Sequence, residues 1–64
     1  MLPDMISCNS SCIEEYGYEE MGLYITFVAS GDTYLYEGVP EYIFEGLDRA
    51  SSKGQYFNKY IKDN

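Results

Sequence analysis

The hydrophobic rhythm of this chain changes once, and the change divides it into two kinds of structure. Leu23-Tyr24-Ile25-Thr26-Phe27-Val28 alternates, with Leu, Ile and Phe on one side, and Thr33-Tyr34-Leu35-Tyr36-Glu37 repeats the same period of two. After Gly38-Val39-Pro40 the apolar residues recur at helical spacing instead: Ile43, Phe44, Leu47 and Ala50, then Tyr56, Phe57, Tyr60 and Ile61. A period of two serves a sheet with one covered face, and a period near 3.6 serves helices lying on it. Strands first and helices afterwards point to an α+β domain.

The boundaries follow from turn chemistry. Ala29-Ser30-Gly31-Asp32 reads as a hairpin loop between the two alternating runs. Cys12–Tyr18 reads as an earlier strand ending in the turn Glu19-Glu20-Met21-Gly22, with Gly17 marking a bulge. The expected hairpin register sets Val28 against Thr33, Phe27 against Tyr34 and Ile25 against Tyr36. Pro40 suits a helix start, and Glu41 places a carboxylate where the macrodipole favours one. Gly46 lowers helix propensity and allows close packing against the sheet. Ser52-Lys53-Gly54-Gln55 fits a capping box, with Ser52 as N-cap. The expectation is a three-stranded antiparallel β-meander followed by two short α-helices, with residues 1–9 as a tail and residues 10–64 as one domain.

Length limits function as well as fold. With 64 residues the chain buries about 60 % of its unfolded surface, enough for one small core of about 3–5 kcal/mol and little depth for a pocket. There is no His, so acid–base catalysis at neutral pH lacks its usual agent. Glu14-Glu15 lie side by side on a strand and point to opposite faces, so they do not converge on one substrate bond. Glu19-Glu20 are solvated turn charges. Cys8 and Cys12 are separated by three residues, not the two of redox or zinc motifs, and no further soft ligands accompany them. They read as reduced thiols, with a disulfide between them as the alternative, in keeping with an expected cytoplasmic location, since Met1–Ser7 is short and carries Asp4 rather than a basic leader. Neither an enzyme nor a metal or cofactor protein is expected.

Charge says more. Residues 1–48 hold ten carboxylates and no Lys or Arg, while Arg49, Lys53, Lys59 and Lys62 all fall in the last sixteen residues, opposed there only by Asp63. One end therefore carries a net −10 and the other +3, for a total of −7. Such a chain repels long polyanions, yet its basic end suits a compact anion.

Several segments together resemble the KTSC domain. They are Ser10-Ser11-x-Ile13, Gly17-Tyr18, Leu23-x-Ile25-x-Phe27, Gly31, Tyr34-x-Tyr36, Val39-Pro40 and Ala50-Ser51-Ser52-Lys53-Gly54-x-Tyr56-Phe57-Asn58. The resemblance runs from Ser10 to Lys62. It implies a small domain found at the carboxyl-terminal end of some lysyl-tRNA synthetases and as stand-alone proteins of bacteria and phages. No enzymatic activity attaches to the family, and RNA binding is a suggestion for it.

The expected site is the start of the second helix. Its first N–H groups lack helical partners, and the dipole is positive there. Arg49, Ser51, Ser52, Lys53 and Gly54 would hold a phosphate, Tyr56 would offer a ring and Asn58 would read a base edge. Tyr34 and Tyr36 are candidate stacking residues, with burial in the core as the competing role. The leading expectation is a non-enzymatic module for a small phosphate-bearing ligand, a nucleotide or nucleotide-derived signal, which in a phage it would sequester. Two alternatives stand beside it: an acidic interaction or inhibitor module for a basic protein surface, and an accessory RNA or tRNA binder. An exposed sheet edge also leaves room for homo-oligomers.

Overall fold

The computed structural model describes residues 2–62. Met1 of the expected tail and the last two residues of the expected domain lie outside them. The elements run β1 (Ile6–Ser7), β2 (Ile13–Glu19), β3 (Gly22–Phe27), β4 (Thr33–Tyr36), α1 (Glu41–Arg49) and α2 (Lys53–Tyr60). The strands form one antiparallel sheet in the order β1-β2-β3-β4, with both helices on one side. The α+β expectation holds, with four strands instead of three. The added strand is β1, whose pairs are Ile6 with Tyr16 and Ser7 with Glu15.

Gly17 explains how this N-terminal segment fits. It pairs regularly with Tyr24 and is not a bulge; the extra residue is Glu14, between the pairs Ile13–Phe27 and Glu15–Thr26. A β-carbon on Gly17 would lie 2.6 Å from Met5 Sδ and 3.0 Å from the Asp4 carbonyl. The glycine is there because the chain before β1 crosses β2 at this point.

The β3–β4 register differs from expectation by two residues: Ile25 pairs with Tyr34 and Leu23 with Tyr36. Gly31, at φ 74°, takes the left-handed position that closes the loop, and its N–H donates to the Phe27 carbonyl at 2.8 Å. Val28 therefore leaves the strand and Asp32 faces Phe27, the Phe27 N–H donating to its carbonyl at 3.1 Å. A shift of two preserves the faces. Tyr34 and Tyr36 still point to the helix side, where Tyr34 meets Phe27 edge-on at 5.6 Å and Tyr36 meets Phe57 at 5.4 Å.

The core comprises Ile13, Tyr16, Leu23, Ile25, Val39, Leu47, Phe57 and Ile61. Its two tyrosine neighbours on β2 each satisfy their polar tip. The Tyr16 hydroxyl donates to Asp48 Oδ1 and the Tyr18 hydroxyl to the Val39 carbonyl, both at 2.5 Å. The Tyr18 ring stacks on Phe44 at 4.8 Å. Gly46 serves helix–helix packing, not helix–sheet packing: a β-carbon there would collide with the Tyr56 ring. Among the described residues no helix is long and apolar enough to cross a membrane.

Candidate functional site

The start of α2 is capped as its sequence indicates. Ser52 has extended backbone, and its hydroxyl accepts the Gln55 N–H at 3.4 Å. The amides of Lys53 and Gly54 remain without a partner inside the helix, as the first turn of any helix requires. Gly54 has a use unconnected with ligand access: a β-carbon on it would lie 3.3 Å from Cys12 Cβ. Its bare backbone lets α2 begin directly against the loop before β2.

That loop is itself ordered by a hydroxyl. Ser10 Oγ accepts from the N–H groups of both Cys12 and Ile13, each at 3.1 Å. The Cys8 thiol donates to the Ile13 carbonyl at 3.2 Å, and burial pushes its pKa up while the Lys53 ammonium pulls the other way. Cys8 and Cys12 are both free thiols. Together the loop and the α2 start enclose a groove of about 340 Å³, walled by residues 8–11 on one side and residues 50–54 on the other.

Lys53 has a structural role that the sequence did not reveal. Its ammonium donates to the carbonyls of Leu47 at 3.0 Å, Asp48 at 3.1 Å and Ala50 at 3.2 Å. These belong to the C-terminal end of α1, where carbonyls lack helical partners and the dipole is negative. The same ammonium lies 5.4 Å from the centre of the Tyr16 ring. All three donors are thus engaged by the end of α1 and its C-cap, so the ammonium acts on the groove that Lys53 helps to line as a charge and not as a hydrogen-bond donor.

Of the residues expected at a ligand, Ser51, Ser52, Lys53 and Gly54 line this groove. Arg49, exposed in the last turn of α1, does not line it, nor do Tyr56 and Asn58. Tyr56 is turned to Gly46 and Tyr60, its ring centroid 4.6 Å from that of Tyr60. Tyr34 and Tyr36 lie on the helix side of the sheet and not on its open face. Residues 8–11 are the part of the groove that the helix-start argument missed. Their signal was the doublet Ser10-Ser11, which mirrors Ser51-Ser52 in composition but lies forty residues away.

A family model for the KTSC domain matches residues 9–64. The chain belongs to the KTSC domain family. This KTSC domain is 41 % identical over 59 residues to a lysine–tRNA ligase of Nostoc punctiforme, and 44 % identical over 59 residues to that of Trichormus variabilis. Each alignment covers 91 % of the chain but 10 % of the ligase, so the chain spans about a tenth of these curated relatives. A crystal structure of a KTSC domain protein from Yersinia pestis superposes with a TM-score of 0.90 at 36 % identity, covering 95 % of this chain and 87 % of that one. The two segments that meet in the groove, Ser10-Ser11 and Ala50–Gly54, are both among those that carry the family resemblance.

Proposed function

We propose that this KTSC domain is a non-enzymatic binding module whose groove between residues 8–11 and the start of α2 takes a compact phosphate-bearing ligand, such as a nucleotide or a nucleotide-derived signal. The observation that carries this reading is the convergence of two distant serine doublets on one groove, whose lining also includes Lys53 and Gly54 at the start of α2. Hydroxyls and helix-start N–H groups are hydrogen-bond donors suited to phosphate oxygens, and Lys53 adds positive charge. The groove holds about 340 Å³, and the rest of the chain is acidic, so a ligand with one or two phosphates fits better than a polymer. The relatives are lysine–tRNA ligases, which makes tRNA a natural candidate. Yet with a net charge of −7 the chain has few contacts to offer a phosphate backbone.

Amide-shift titration by NMR tests the proposal, with inorganic phosphate, mononucleotides, cyclic dinucleotides, ADP-ribose and a short RNA as probes. Shifts at residues 8–11 and 51–54 with one small phosphate compound, persisting at physiological salt, are expected. Ser51→Asp places a carboxylate at an exposed bend of the groove and should weaken that binding about tenfold or more. Shifts with RNA alone that vanish at physiological salt, or no shifts at all, would overturn the reading.

A further inference from the structure

A further concavity lies at the opposite end of the sheet and is separate from the groove between residues 8–11 and α2. It is a groove of about 460 Å³ beside β4, between the α1 start and the α2 end, and Tyr36, Glu37, Tyr42, Ile43, Tyr60 and Ile61 are among its walls. β4 is also an edge: it pairs with β3 on one side and, among the described residues, with no strand on the other. The bond from the Phe27 N–H to the Asp32 carbonyl fixes the parity of the ladder, so Tyr34 and Tyr36 bond inward to β3. The backbone groups of Thr33 and Leu35 consequently face outward, available to an added strand.

We propose that β4 and this groove receive an extended, lysine- or arginine-bearing segment of another protein. The segment would pair with Thr33 and Leu35 and lower alternate side chains into the groove. A long basic side chain matches the lining: its aliphatic stem lies along Ile43 and Ile61, and its charged end reaches tyrosine rings and Glu37. Tyr42, 71 % exposed, presents much of its surface at the mouth. The Tyr60 ring already accepts a cation in this way, with Lys59 Nζ 5.2 Å from its centre. Charge decides the class of partner. Glu37 lines the groove, Asp32 adjoins β4 and Glu41 adjoins Tyr42, against Lys59 and Lys62 beside Tyr60 and Ile61, and the whole chain carries −7. A second copy would bring another −7 and its own carboxylates to the same edge, so like-charge repulsion opposes that occupant.

The test is an NMR titration of the full chain with an acetylated, amidated seven-residue peptide alternating lysine with valine. Two control peptides replace every lysine with glutamate, or methylate alternate backbone nitrogens. The expected result is shifts at the amides of Thr33, Leu35 and Glu37 with the lysine peptide and with neither control. Glu37→Lys, at an exposed position, should keep the dispersed spectrum and weaken binding about fivefold. Equal binding of the glutamate or N-methylated peptide would overturn the proposal, as would shifts confined to the acidic stretch of β2. Concentration-dependent shifts at β4 without any peptide would also overturn it, in favour of a second copy.

Discussion

Lys53 shows how one side chain can have a structural partner that sequence does not reveal. A lysine in the first turn of a helix opposes the dipole of that helix, which is a reason to seek an anion for it. The structure supplies a different counter-charge, the carbonyl end of α1, three of whose oxygens the ammonium meets at 3.0–3.2 Å. Lys53→Met keeps the aliphatic stem and removes the donors. It should cost about 1–2 kcal/mol of stability, read from the midpoint of urea unfolding. Lys53→Glu would disturb the fold as well as the groove, because it removes these contacts to α1, which is why Ser51 is the better position for testing ligand binding. Tyr16→Phe removes the hydroxyl that donates to Asp48 and should cost about 1 kcal/mol by the same measurement. Neither contact could be foreseen from spacing, because each joins residues that only the packing of α1 on the sheet brings together.

At the scale of elements, most of the architecture was legible because the switch in period is so clean. Both helices and three strands appear where alternation and helical spacing put them. What escaped was set by backbone geometry. The hairpin register moved by two because Gly31 takes the left-handed position and closes the loop one residue earlier, and β1 is too short to leave a periodic signal. The β2–β3 turn is a further case. Glu20 and Met21 both have positive φ, 51° and 63°, although neither residue type favours that region. A two-residue hairpin loop of this kind ordinarily carries Asn-Gly. Met21→Gly should therefore stabilise the domain by about 1 kcal/mol, raising its thermal midpoint by several degrees. An unchanged or lower midpoint would show that the Met21 side chain, half exposed, makes a contact that outweighs the backbone strain. The groove was half legible: Ser51–Gly54 stood out by motif, whereas residues 8–11 reach it only through the pairing that brings β2 beside α2.

The molecule as a whole is an aliphatic and aromatic core with Tyr16 inside it and Tyr18, Tyr36 and Tyr56 packed against it, within an acidic shell, and this fixes how it responds to alkali. Burial raises the pKa values of Tyr16, Tyr18, Tyr36 and Tyr56, with the hydrogen bond to Asp48 adding to the effect at Tyr16, and burial also raises Cys8. In the unfolded chain these groups lose their protons near their ordinary values, about 8.5 for Cys and about 10 for Tyr. Above those values the unfolded state binds fewer protons than the folded one, so stability falls as pH rises. Their contribution is fully present below about pH 8 and declines from about pH 9 upward. Denaturation midpoints at pH 7, 9 and 10.5 should fall in that order, and less steeply in Tyr16→Phe. A flat profile would contradict the burial of these hydroxyls. The bridge from Lys53 to α1 has a consequence in time as well as in energy. Because one ammonium closes the last turn of α1 from the first turn of α2, neither helix end can fray alone without releasing the other. The corner between them should open as a single cooperative unit, so hydrogen exchange at the Ala50 and Tyr56 amides should share one opening free energy. In Lys53→Met the two rates should separate.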